Sequence, residues 1–146
     1  MSLNGITKGT EFEDMMKRLM QAEANGVMMY YALAQLAREQ GLEDVAEGFI
    51  AAANEEAVHA GFYAVLNGKY PYDFWGLVRA VQKAEENGEA QVKAIADKVR
   101  AAGFDEAADQ MEIFARQEGG HGVRLHDMLD KYQPKAPYTA GQKVYV

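Results

Sequence analysis

The chain has 146 residues, a formal net charge of −7 and no cysteine. Its length suits one domain with a sizeable core, its charge argues against nucleic acid or an anionic membrane surface as a partner, and disulfides are excluded. No apolar stretch reaches bilayer-spanning length and none at the amino terminus has the form of a secretory signal, so a cytoplasmic protein without membrane contact is expected.

The first helix is expected to start at Thr10, with Glu13 completing a capping box, and to end before Gly41. Its apolar stripe is Phe12, Met16, Leu19, Gly26, Tyr30, Leu33 and Ala37, and Glu23 falls within it. The second helix follows a tight turn at Gly41 and carries Leu42, Val45, Phe49, Ala52, Glu56, His59, Tyr63 and Leu66 on one face. The run Asn67-Gly68-Lys69-Tyr70-Pro71-Tyr72 breaks the pattern, and Asp73 is a suitable cap for a third helix. There the stripe is Phe74, Val78, Val81, Glu85, Gly88, Val92, Ile95 and Val99, closed by Gly103. The fourth helix repeats the spacing with Phe104, Ala107, Met111, Phe114, Glu118, His121, Leu125 and Met128. Gly119, Gly120 and Gly122 within it are costly at roughly 1 kcal/mol each relative to Ala, so they either admit a close neighbour or small molecules, or mark a distorted helix; the former is preferred. Residues 133–146 have no helical stripe: Pro134, Pro137 and Gly141 read as a linker, and Lys143-Val144-Tyr145-Val146 alternates like a strand.

The two halves are copies of one another. Sliding residues 22–70 onto 84–132, a shift of 62, gives fourteen identities in 49 positions without a gap. Among them are Glu23/Glu85, Glu56/Glu118 and His59/His121, and each half runs Glu, then Glu-x-x-His 33 positions on. All six polar residues sit on apolar stripes, mid-helix. Burying a lone carboxylate costs several kcal/mol or forces it to stay protonated, so four carboxylates in such places are hard to keep except around cations. The other readings are ordinary surface Glu and His or buried ion pairs; no stripe of Lys or Arg is placed to pair them, and metal ions are the preferred expectation. Carboxylates with imidazoles and no thiolate favour iron or manganese over structural zinc.

One Glu from each of two helices with Glu-x-x-His from the other two is the di-iron arrangement of ferritin-like bundles. Over residues 10–132 the chain resembles the rubrerythrin family of that group. The resemblance implies an all-α, ferritin-like four-helix bundle built from two repeated helical hairpins, spanning 1–132. It implies two iron ions, oxo- or hydroxo-bridged, with manganese as an alternative, held by Glu23, Glu56, His59, Glu85, Glu118 and His121. Glu56 and Glu118 would bridge the metals, while Glu23 with His59 and Glu85 with His121 would be terminal ligands. Tyr30, two turns after Glu23 on the same face, matches a tyrosine that such proteins place beside the metals, and would be a catalytic residue; a plain core tyrosine is the other reading.

There is one departure from the family. Rubrerythrins carry a second Glu three residues after the third-helix ligand, and here that position is Gly88. Glu86 and Glu89 lie close; a local bulge would bring Glu89 inward, while an unbroken helix would leave both in solvent. The activity implied is reduction of hydrogen peroxide to water with electrons from an external donor such as a rubredoxin. The alternatives are ferritin-like ferroxidase and iron storage, or a di-manganese catalase. The tail from 133 resembles the lead-in to a rubredoxin-like module that is absent here, as in a truncated chain or a natural short form.

The link between second and third helices bears on assembly. In ferritin-like bundles these two helices run parallel, and the seven steps from Leu66 to Asp73 span at most about 25 Å. The axial return needed from Leu66 to Asp73 is about 28 Å at 1.5 Å per residue, before any sideways shift. Either the third helix begins late, near Leu77 to Ala80, or the two hairpins pair with those of a second chain. A domain-swapped homodimer is the preferred expectation.

Overall fold

A computed structural model describes residues 2–134 of the chain. The expected strand-like end at Lys143–Val146 and most of the tail lie outside the described residues. Within them are four helices and no strand, so the all-α class expected from the stripes is the class observed. The helices are α1 (Glu13–Glu39), α2 (Glu43–Leu66), α3 (Phe74–Ala101) and α4 (Asp105–Tyr132). They form two compact units, an α1–α2 hairpin within 1–72 and an α3–α4 hairpin from 73 onward.

Both hairpins turn by the same device. At the end of α1, Gly41 N–H donates to the Arg38 carbonyl and Leu42 N–H to that of Ala37, both at 2.9 Å. At the end of α3, Gly103 N–H donates to Arg100 and Phe104 N–H to Val99, at 2.9 and 3.2 Å. This pair of bonds is a Schellman motif, and it needs a left-handed residue at its centre. Gly41 (φ 73°) and Gly103 (φ 90°) supply one, because a Cβ in that region meets the following carbonyl.

An arginine clasps each turn. Arg38 donates to Glu43 at 3.0 Å and to Glu47 at 2.9 Å; Arg100 donates to Asp109 at 2.7 Å and Glu112 at 2.8 Å, with Asp105 at 3.7 Å. The hydrogen bond with Glu43 raises the Arg38 pKa above its ordinary value, and those with Glu112 and Asp109 do the same for Arg100. Arg38 and Arg100 are themselves a repeat pair, and so are Glu43/Asp105 and Glu47/Asp109.

Helix contact within each hairpin runs through alanine. Ala34, Ala46 and Ala53 are buried in the first hairpin, and their counterparts Ala96, Ala108 and Ala115 in the second. A methyl side chain lets two helix backbones approach closely while leaving room for larger neighbours such as Phe49 and Ile50 to pack alongside. Large apolar side chains are not fully covered: Phe12, Phe62, Phe104 and Phe114 are exposed, and Tyr30 and Phe49 are half-buried against each other with ring centroids 6.0 Å apart. Complete burial of such a side chain contributes about 1.5–3 kcal/mol, which neither hairpin obtains internally.

One boundary differs from the sequence expectation. α1 begins at Glu13 with Phe12 in the cap position, not at Thr10. The Thr10 hydroxyl accepts from Phe12 N–H at 3.2 Å, and the Glu13 carboxylate reaches back to Gly9 N–H at 2.6 Å, so the reciprocal capping box does not form. The segment before α1 is instead tied to the end of α2, where Gly5 N–H donates to Val65 and Thr7 N–H and hydroxyl to Leu66. That tie sets the direction of entry into α1. The start of α3 follows the expectation: Asp73 caps it, accepting from Gly76 N–H at 2.9 Å, and the alternative late start near Leu77 to Ala80 is not the one observed.

Candidate metal centre

The midpoints of α3 and α4 bring three of the expected ligands together. Glu85 lies on α3; Glu118 and His121 lie one turn apart on α4. His121 Nδ1 is 3.4 Å from a Glu85 oxygen and 3.4 Å from a Glu118 oxygen. One ligand atom from each of the three lies within 4.8 Å of the other two. Ligand atoms about 2.0–2.2 Å from one ion are separated by up to about 4.4 Å, a span that the two 3.4 Å separations fall within. All three residues are half-buried, so gathering two carboxylates there costs more than in water and less than it would at full burial. The donor set, two carboxylates and an imidazole with no thiolate, suits a hard or borderline cation.

The α1–α2 hairpin holds the equivalent residues differently. His59 Nδ1 is 3.4 Å from a Glu23 oxygen, reproducing the Glu85–His121 pair. The Glu56 carboxylate is turned toward α1 and lies against Gly26, in a shallow groove lined by Ala22, Glu23, Asn25, Gly26, Met29 and Glu56. Two of the three residues are therefore paired and the third is adjacent. Tyr30 sits two turns beyond Glu23, stacked at 26° on Phe49, a contact within the hairpin.

Comparisons with known proteins identify the relatives of this arrangement. A family model described as rubrerythrin matches residues 14–74. An uncharacterized protein of Methanocaldococcus jannaschii is 35% identical over 128 residues, covering 88% of this chain and 91% of that protein. Reverse rubrerythrin-1 of Clostridium acetobutylicum is 28% identical over 131 residues, covering 88% of this chain and 72% of the relative. Residues 14–74 carry a rubrerythrin-family domain. No solved structure matches the chain.

With a rubrerythrin-family domain the chain falls in the ferritin-like class, and its departure at Gly88 acquires a structural account. α3 is an unbroken helix from Phe74 to Ala101, without the bulge that would carry Glu89 inward. Glu86 and Glu89 are exposed and stand outside the cluster. The Glu89 carboxylate lies in the space left by Gly119 on α4, and the Glu86 Cγ is 3.3 Å from where a Gly122 Cβ would stand. With Val123 and His126 they line a second groove. α4 runs through all three glycines as regular helix, so they do not mark a distortion; Gly119 and Gly122 admit side chains of α3, whereas beside Gly120 only Arg124 of the same helix comes within 4 Å. Reading single stripes missed this groove, because its members belong to two helices and each is unremarkable on its own. A signal was present in the repeat: the first hairpin has Ala24, Val27, Ala57, Ala60 and Ala64 at the positions of Glu86, Glu89, Gly119, Gly122 and His126. His126 itself is exposed, 3.6 Å from Asp130. Among the described residues no helix is long and apolar enough to cross a membrane.

Proposed function

We propose that this chain holds two iron ions with Glu23, Glu56, His59, Glu85, Glu118 and His121 and reduces hydrogen peroxide to water in the cytoplasm. The observation that carries this reading is the convergence of Glu85, Glu118 and His121, together with the repetition of the same residues at the same spacing in the first hairpin. When bound, a ferrous pair supplies the two electrons that cleave the O–O bond, and two protons complete the two water molecules. The protein's part is to hold charge and place protons. Glu23, Glu56, His59, Glu85, Glu118 and His121 would hold the pair, and their carboxylates would offset its cationic charge. Tyr30, oriented by Phe49, holds a phenolic proton on the face that carries Glu23. An external one-electron donor such as a rubredoxin would have to deliver two electrons per peroxide to restore the reduced state.

The working unit in this proposal is a domain-swapped homodimer. α2 ends at Leu66 and α3 is capped at Asp73, so the seven-step link of at most about 25 Å falls short of the axial return that parallel α2 and α3 would require. Each hairpin buries only small residues on its own, so its larger apolar side chains call for a second hairpin. In the swapped unit, Glu23, Glu56 and His59 of one protomer complete a site with the second-hairpin ligands of its partner.

The test is metal content per chain with native mass, followed by anaerobic mixing of the ferrous protein with peroxide. Two irons per six-ligand site in a dimer, and consumption of one peroxide per iron pair, are expected. Iron far above two per chain in a large shell would replace this reading with storage by a ferroxidase. Manganese as the resident metal, with peroxide disproportionated and no reductant needed, would replace it with a catalase.

A further inference from the structure

We infer that Gly26 is a positioning residue: by lacking a side chain it reserves the place in which the Glu56 carboxylate lies. This rests on the metal reading above. Gly26 is in the middle of α1 with ordinary helical dihedrals and is not among the left-handed glycines, so its backbone does not call for glycine. In a helix interior glycine is disfavoured relative to alanine. What the position lacks is space: a Cβ built on Gly26 would coincide with the carboxylate of Glu56.

Other glycines make the contrast. Gly48 and Gly61, also inside a helix, have nothing within 4 Å of an added Cβ. Gly88, the repeat partner of Gly26, faces the repeat partner of Glu56. There an added Cβ would stand 3.5 Å from the Glu118 Cβ and 3.7 Å from its Cγ, ordinary contact that displaces nothing. The same glycine in both copies thus faces the first Glu of Glu-x-x-His, but only in the first hairpin does the carboxylate fill the vacated volume. The group that would have to move is the end of a flexible side chain, so an alanine at 26 is cheap for the fold. It acts instead on the site, by turning Glu56 away from the groove it shares with Glu23.

The experiment compares wild type with Gly26→Ala, Gly88→Ala and Gly48→Ala in the full-length protein. Melting of the metal-free form is followed by circular dichroism, and Fe(II) and Co(II) binding by titration with the Co(II) ligand-field bands recorded. Gly26→Ala and Gly48→Ala are both expected to melt at or above the wild-type temperature, while the metal affinity of Gly26→Ala falls about 10–100-fold at one site and its Co(II) bands shift. Gly88→Ala is expected to bind within a few-fold of wild type. Wild-type binding and spectra in Gly26→Ala would overturn the inference alone. So would a lowered melting temperature of metal-free Gly26→Ala, which would make the glycine a packing requirement. Failure of the wild type itself to bind either metal would overturn the metal reading and this inference with it.

Discussion

The α1–α2 and α3–α4 hairpins share a plan and differ in how they finish it. Both turn on a left-handed glycine, both clasp the turn with an arginine, and both close on alanines at matching positions. Both set a histidine 3.4 Å from the glutamate of the facing helix. They part at the carboxylate of the Glu-x-x-His pair. Glu118 joins its histidine and Glu85 in a compact cluster, whereas Glu56 lies against Gly26. They part again one face around, where the second hairpin has exchanged alanines and a valine for glycines, two glutamates and a histidine. The lesson is that the shared features lie at the turns, in the alanine contacts and in the Glu–His pair across each hairpin. The divergent ones depend on where a long side chain finds room.

The comparison is most exposed at the ligands. Glu56→Ala and Glu118→Ala are each expected to remove about half of the bound metal, since each would take one carboxylate from both ions, with Glu118→Ala the more damaging because it also dismantles the three-residue cluster. Elemental analysis of the purified variants reads this directly. Unchanged metal in both would mean the six residues are not the ligands.

A smaller effect is expected at the alanine contacts, where the hairpins should respond alike. Ala53→Leu and Ala115→Leu each overpack a helix–helix contact that has no spare volume, costing about 1–3 kcal/mol. Thermal melts should show similar losses for the two. A marked inequality would mean that the hairpins are not structurally equivalent and that the repeat is a poor guide to packing.

The smallest effect belongs to the turn clasps, and here the hairpins should differ. Arg100 contacts three acidic side chains, one of them the partly covered Glu112, while Arg38 contacts two that are well exposed. Arg100→Gln should therefore lower the melting temperature more than Arg38→Gln, and added salt should narrow the gap. Because both arginine pKa values are raised above the ordinary guanidinium range, each clasp's stabilising contribution is fully present below that range and is lost only as pH rises through the folded value. An equal response to both substitutions would make the third acid of Arg100 irrelevant.

Much of this was legible in the chain. The shift of 62 residues identified Ala34/Ala96, Ala46/Ala108, Ala53/Ala115, Arg38/Arg100 and Gly41/Gly103 as matched pairs, and each pair has proved to carry one structural task of the hairpin. Asp73 was readable as a cap, because an acceptor side chain three residues before a free amide is a local matter. The start of α1 was not, because Thr10 and Glu13 had other partners: the tie of Gly5 and Thr7 to the end of α2 joins segments some 60 residues apart and redirects the chain.

The sequence by itself therefore determined the four helices, their pairing into two like hairpins and the face on which each metal-binding candidate lies. Helical periodicity converts spacing into direction, and that conversion requires no knowledge of neighbours. Only the tertiary structure decided that Glu118 turns to its histidine while Glu56 fills the place beside Gly26, and that Glu89 lies against Gly119 away from the cluster. Those outcomes depend on which volumes are left open between helices whose contacting residues stand some thirty positions apart, and an open volume belongs to a packed pair of helices, never to one residue.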